Sequence, residues 1–252
     1  MHKLIKLALC TVAALAVAEP ARADEAFDLL KRAVDALPTA SAQARLRLTV
    51  EKLPPRELNL NRKFLNEKIH ASYLEVVAPD ELEGVRFLFL ERPTGEHEQY
   101  IKVKASRTNV RVADEVRKQP FLGSAFYISD LLVPSLYDYT YTMAGEVEIL
   151  GRKCKQVVAT PKQPKDAVYG KSILAIDPND LLILGRQFFD HKGELVKVWR
   201  VQKVEKVDDI WTLREQEMKD LKQNTRATLE VVEVKYNVEL PDSMFLPKYL
   251  TR

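Results

Sequence analysis

From residue 45 onward, apolar and polar side chains alternate with a period of two in short runs, and no other feature constrains the fold as strongly. Arg45-Leu46-Arg47-Leu48-Thr49-Val50, Phe87-Leu88-Phe89 with its neighbours, Tyr100 to Lys104 and Tyr137 to Met143 all carry it. Period two is the repeat of a strand, whose side chains point to opposite faces in turn. Val157-Val158, Ser172 to Ile176, Leu181 to Phe189, Leu195 to Val204, Ile210 to Met218 and Ala227 to Tyr236 add further strands. Turn residues separate them at hairpin spacing. Asp177-Pro178-Asn179-Asp180 places Pro where a tight turn favours it, and Asp190-His191-Lys192-Gly193 places Gly where a hairpin loop needs positive φ. The reading is mainly β: about eleven strands in an antiparallel meander, forming one large curved sheet in a single domain.

Two segments break the pattern. Residues 25–37 carry Phe27, Leu30, Val34 and Leu37 at helical spacing, with Asp24 as candidate N-cap and Pro38 as the stop. Residues 105–136 read as a long loop, with Arg107, Arg111, Arg117 and Lys118 clustered among few apolar residues. A short helix over 125–133, ended by Pro134, follows. Loops of this length in a compact domain usually serve function. The basic cluster suits anionic headgroups or an acidic partner, and equally a solvated loop.

Several strands are apolar on both faces: Leu181-Leu182-Ile183-Leu184, Phe188-Phe189 and Leu195-Val196. Two apolar faces need two coverings. The sheet either curls around an apolar cavity or forms an ordinary packed core. Tyr137, Tyr139, Tyr141 and Met143 make a stripe with the same two readings, core face or cavity wall.

The first residues read as an address. Lys3 and Lys6 precede an apolar stretch from Leu7 to Ala18, and Ala21-Arg22-Ala23 offers the small residues of a signal-peptidase site. The stretch is too short to span a bilayer. The expectation is a signal peptide over 1–23, a mature domain over 24–252, and export to the periplasm. Only Cys154 remains in the mature part, so no internal disulfide forms, and it reads as a small buried hydrophobe.

Composition and motifs exclude more than they assign. Lys plus Arg number 39 against 36 Asp plus Glu, a net +3, which argues against a dedicated nucleic-acid binder. Gly170-Lys171-Ser172 mimics the end of a phosphate loop, but Lys165 stands where that loop needs Gly. His70, His97 and His191 stand apart, so neither a metal site nor a cofactor is expected. No nucleophile or general-acid pair is marked, and the chain is read as non-enzymatic.

The run Val77-Ala78-Pro79-Asp80-Glu81-Leu82-Glu83-Gly84-Val85-Arg86-Phe87-Leu88 is similar to a stretch of the bacterial outer-membrane lipoprotein-sorting-like proteins, the LolA/LolB-like superfamily. Val110-Arg111-Val112, Phe121-Leu122-Gly123-Ser124-Ala125-Phe126 and Ser129-Asp130-Leu131 resemble that family's basic segment and the element after it. Tyr139, Tyr141, Gly151, Cys154, Pro161, Tyr169, Ile176-Asp177, Phe189-Asp190, Gly193, Lys197 and the ending Pro241-Asp242 with Phe245 keep the family's order. Ala125 departs from it, standing where the family commonly has Asp.

The resemblance implies an open antiparallel half-barrel closed by helices, with an apolar cavity that shields acyl chains between membranes. On that reading the cavity is lined by Phe87, Phe89, Leu131, Tyr139, Tyr141, Ile176, Phe188, Trp199 and Leu213, and Arg107, Arg111, Arg117 and Phe126 serve a lid or partner contact. The implied function is a periplasmic carrier of lipid or lipoprotein acyl chains between inner and outer membrane. Its partners would be an inner-membrane transporter of the RND/MMPL exporter type and an outer-membrane acceptor, with transient membrane contact and no nucleic acid. The alternative is a lipid-sensing regulator or scaffold that binds a membrane protein.

Overall fold

The structure, a computed structural model, describes residues 18–66, 69–92, 97–104, 106, 108–111, 116–132 and 136–251, with the side chains of 18–22 left aside. The helix α1 runs Ala18–Asp35. Asp24 therefore lies inside it and not at its N-cap. Pro20 falls in the first turn, where its missing N–H leaves no bond unmade. The remainder of the signal reading, residues 1–17, lies outside the described residues.

Among the described residues thirteen strands follow: β1 Ala42–Val50, β2 Arg56–Leu65, β3 Ile69–Ala78, β4 Arg86–Glu91, β5 Glu98–Lys102, β6 Val110–Arg111, β7 Tyr139–Ile149, β8 Arg152–Pro161, β9 Lys171–Ile176, β10 Ile183–Phe189, β11 Leu195–Val207, β12 Ile210–Asp220 and β13 Thr225–Tyr236. They form one antiparallel sheet in the order β6-β5-β4-β3-β2-β1-β13-β12-β11-β10-β9-β8-β7. Two meanders, β1 to β6 and β7 to β13, meet where β1 pairs with β13. β6 and β7 are the two edges, so the sheet is open. The strand count exceeds the expected eleven because β2, β3 and β6 do not announce themselves. Arg-Glu-Leu-Asn-Leu-Asn-Arg-Lys-Phe-Leu of β2 is rich in residues that strands disfavour, and β6 has only two residues.

One face of the sheet gathers, over β1–β4 and β10–β13, into a single cluster. Leu46 and Leu48 of β1, Leu58 of β2, Leu74 of β3, Phe87 and Phe89 of β4, Phe188 of β10, Met218 of β12 and Ala227 of β13 pack together with Phe121, Ala125, Phe126 and Ile128. Strands far apart in the sheet thus meet around one segment, which requires the sheet to curl about it; this is the inner face. The outer face of β3 and β4 presents Ala71, Tyr73, Leu88 and Leu90, and the C-terminal residues Leu240, Phe245 and Leu250 cover them. Both faces of these strands are dry, which explains their unbroken apolar text.

At the other end of the sheet, α1 lays Ala26, Leu29, Leu30 and Ala33 on Tyr141, Val157, Ala159, Leu174 and Ile176. A bulge between Met143 and Gly145 switches the face presented by β7. Tyr139, Tyr141 and Met143 pack under α1, whereas Val147 and Ile149 join a separate cluster with Cys154, Ala175, Leu184 and Val201. Cys154 is buried, as its sequence reading expects. No helix among the described residues is long and apolar enough to cross a membrane.

Candidate functional site

The segment 116–132 occupies the inner face. It contains no α-helix: three short 3₁₀ turns, Val116–Lys118, Phe121–Gly123 and Ile128–Leu131, replace the helix expected over 125–133. The reason is local. Tyr127 and Leu132 are both extended, ψ 161 and ψ 151, which leaves room between them for one short turn only, and Leu122 and Gly123 ahead of them are left-handed, φ 51 and φ 73. The Asp130 carboxylate accepts the Tyr127 N–H at 2.8 Å and fixes a turn instead. The loop closes on itself through Phe121 N–H to Phe126 O at 2.7 Å and Ile128 N–H to Gln119 O at 3.2 Å.

Its contacts with the sheet are of two kinds. The apolar ones lie toward β4, where the Phe121 ring is 4.9 Å from that of Phe87, itself stacked with Phe89. The polar ones lie toward β11. Lys197 is fully buried in a row of paired inner-face residues, Ser172, Phe188, Lys197 and Asp220, one from each of β9 to β12. Its ammonium donates to the Ala125 carbonyl at 2.8 Å and stands 3.3 Å from Asp130 Oδ2 and 3.7 Å from Asp220 Oδ2. It also lies 3.0 Å from the centre of the Tyr127 ring. Tyr169 donates its hydroxyl to Asp130 Oδ1 at 2.8 Å, and its ring stacks with Tyr127. Burial lowers the Lys197 pKa, while the two carboxylates hold the charge in place. Burial, then the Asp130 charge, pushes the Tyr169 phenol well above its ordinary range. The inner segment is therefore greased at one end and latched by charge at the other.

The expected lining residues fall into three groups. Phe87, Phe89, Leu131, Phe188 and Trp199 meet in the inner cluster around the segment. Tyr139, Tyr141 and Ile176 lie beneath α1. Leu213 packs with Val201 and Leu184, and Trp199 touches that cluster also. Tyr137 precedes β7 and is exposed. Of the lid residues, Phe126 is buried in the inner cluster, Arg111 is exposed on the edge strand β6, and Arg117 donates to the His97 carbonyl at 3.4 Å. Arg107 lies outside the described residues.

Sequence reading did not single out Lys197, Asp220 or Tyr169 as a site. The signal was present for Lys197: it fills an inward slot of the alternation in Leu195-Val196-Lys197-Val198-Trp199, where an apolar residue belongs. The inner face is covered by the chain's own segment over β1–β4 and β10–β13, and by α1 over β7–β9. Two shallow depressions open elsewhere, one of about 560 Å³ at Lys63 and Val238 to Pro241, the other of about 500 Å³ between α1, Lys155 and Pro178. Among the described residues no three His, Cys, Asp or Glu side chains come together as a metal site.

Solved structures show where this architecture recurs. A domain from Vibrio parahaemolyticus, described as outer membrane lipoprotein-sorting, superposes with a TM-score of 0.84 at 17% identity, over 91% of this chain and 100% of its own. A DUF1329 family protein from Desulfovibrio piger gives 0.84 at 20% identity, over 91% and 99%. A LolA superfamily protein from Nitrosomonas europaea gives 0.64 at 16% identity, over 89% and 98%. No curated protein matches the chain. A family model described as "-like: Uncharacterized protein" matches residues 69–252, well over half of the chain. The chain belongs to that family, and its fold is the one its sequence resembles, that of the outer-membrane lipoprotein-sorting-like proteins.

Proposed function

We propose that this protein is a non-enzymatic periplasmic carrier that holds lipid, or the acyl chains of a lipoprotein, against its inner face and moves them between the inner and outer membranes. One observation carries this reading: the largest apolar surface of the sheet is covered by a segment without regular structure, not by a helix or a second sheet. The cover is one loop, joined to the sheet by aromatic contacts and one charged latch. Such a cover has a modest free energy of local opening compared with the sheet beneath it. Each methylene moved from water to that surface is worth roughly 0.8 kcal/mol, so an acyl chain of ordinary length offsets the cost of displacing the loop. Phe87, Phe89, Phe188 and Trp199 then line the occupied face, and Phe126 and Leu131 leave with the loop. The likeness of the fold to a domain described as lipoprotein-sorting supports the same reading.

In this account an inner-membrane transporter, of the RND/MMPL exporter type, loads the carrier, and an outer-membrane acceptor unloads it. The test is native mass spectrometry of the protein purified from a periplasmic fraction, followed by organic extraction. A lipid or acylated peptide released only on denaturation supports the carrier. A protein that stays free of ligand after incubation with lipid vesicles, yet binds a membrane-protein segment, supports a regulator instead.

A further inference from the structure

Arg56, the first residue of β2, is a buried cation with no counter-ion among the described residues. It sits on the inner face opposite Leu48 and is 6% exposed. Its guanidinium makes one hydrogen bond, from Nη1 to the Pro54 carbonyl at 2.6 Å. Its Nε is shut off from solvent and has no partner. Among the described residues no carboxylate comes within 4.0 Å of it. Burial alone moves its pKa, downward, with no charge acting against the shift. A guanidinium has five N–H donors in a planar fork that matches a carboxylate or phosphate. To bury it so nearly unpaired costs folding free energy, and groups retained at such a cost cluster at binding sites.

Its position adds to the argument. The 121–124 turn of the inner segment lies directly over it: a Cβ built on Gly123 would stand 3.6 Å from Arg56 Nη2 and 3.8 Å from Leu53 Cδ1. Gly123 has φ 73, a conformation that disfavours any side chain there. When the segment moves, the fork is uncovered at the rim of the inner face, with Leu48 and Leu58 beside it on the inner face.

We infer that Arg56 is an anion-binding group of the carrier site, taking the carboxylate or phosphate headgroup of an amphiphile whose chain lies on the inner face. This rests on the carrier reading above and names its ligand class: anionic lipids, ahead of neutral ones. Arg62 and Arg186 are further inner-face cations without an ion pair among the described residues, but Arg62 Nη2 faces His70 Nδ1 at 3.4 Å, the Arg186 guanidinium is spread over the Phe188 ring at 4.7 Å, and both are less buried than Arg56. Arg186 serves as the control.

The experiment titrates the purified protein with oleate, oleyl alcohol and inorganic phosphate, following displacement of a neutral fluorescent apolar dye, for the wild type, Arg56→Gln, Arg56→Lys and Arg186→Gln. The expected result is oleate binding at least about tenfold tighter than oleyl alcohol, the size of one charge-assisted hydrogen bond. Arg56→Gln removes that preference, Arg56→Lys keeps part of it, and Arg186→Gln leaves it. The melting midpoint of ligand-free Arg56→Gln is expected to equal or exceed that of the wild type, because an uncompensated buried charge has been removed; a merely structural arginine would lower it. Equal binding of oleate and oleyl alcohol by the wild type, or loss of the preference in Arg186→Gln alone, overturns the inference and leaves the carrier reading standing. Competition by phosphate at the same concentrations as oleate assigns Arg56 to a free anion and overturns the lipid headgroup. Failure to bind either oleyl compound overturns the carrier reading itself.

Discussion

Lys197 Nζ of β11 stands 3.3 Å from Asp130 Oδ2 of the inner segment, and both side chains are 1% exposed. The pair joins β11 to the inner segment, beside the Lys197 bond to the Ala125 carbonyl and its contact with the Tyr127 ring. Asp220 of β12 is a second counter-ion at 3.7 Å. A buried charge stripped of its partner is costly, whereas one left with a remaining partner is less so. Lys197→Met strands two carboxylates and is expected to destabilise the protein by about 3 to 5 kcal/mol. Asp130→Asn leaves Asp220 facing Lys197 and is expected to cost about 1 to 2 kcal/mol. Denaturant midpoints measure both. Equal losses would mean that the two carboxylates do not share the ammonium.

Opposite responses are expected from the two sides of the sheet. Phe121 and Phe126 belong to the movable cover, while Phe245 seals the outer face of β3 and β4. Truncating any of the three to Ala lowers stability by about 3 to 5 kcal/mol. Only Phe121→Ala and Phe126→Ala should raise the affinity for a neutral apolar dye, because they weaken the cover and spare the face beneath. Unchanged or weaker dye binding in both variants would show that the segment belongs to the binding surface.

Acid should weaken the fold through His70. Its ring packs on Phe64 at 4.6 Å, and its Nδ1 lies 3.4 Å from Arg62 Nη2. Burial, helped by the Arg62 charge, pulls its pKa down to about 4 from the ordinary 6.5. The unfolded chain then takes up a proton first, so the stability that His70 contributes is complete above pH 6.5 and is lost as the pH falls from 6.5 toward 4. The expected loss by pH 5 is about 1 to 2 kcal/mol, allowing for the partial exposure of the ring. His70→Gln should flatten that part of the curve. His97 is shifted in the same direction by burial and keeps some acid sensitivity in the variant.

Cys154 is 0% exposed, and burial pushes its thiol pKa up. A thiol reagent is therefore expected to react with the native protein only at the rate of unfolding. A fast reaction in the absence of denaturant would place Cys154 in a region that opens locally.

Much of the sheet was legible because its strands obey a simple rule. Leu46, Leu48 and Val50 point inward at period two, and the structure puts all three in the inner core. β3 was hidden because both of its faces are covered, so Tyr73 and Leu74 are equally apolar and no alternation remains. The segment 116–132 was misread for a different reason. Residues 125–133 are apolar enough for a buried helix, but Tyr127 and Leu132 are extended and the Asp130 carboxylate takes the Tyr127 N–H, which leaves a single turn there. The candidate site was half legible: Phe87 and Phe188 stand out as apolar strand positions, but Phe87-Leu88-Phe89 and Phe188-Phe189 are apolar on both faces, so alternation does not say which side turns inward. Asp130, Lys197 and Asp220 come together only through the curl of the sheet, which no local pattern encodes. Tyr139 and Tyr141, expected in the same lining, went under α1 because they sit near the opposite edge of the sheet.

The central claim is that ligand takes the place of residues 116–132. Hydrogen exchange, followed by mass spectrometry with and without saturating oleate, tests it directly. The amides of Phe121 and Ile128, which bond within the segment, are expected to lose protection when oleate binds. The paired amides of β1 and β13 are expected to keep theirs. Binding that leaves the segment as protected as before, or protects it further, would contradict the account.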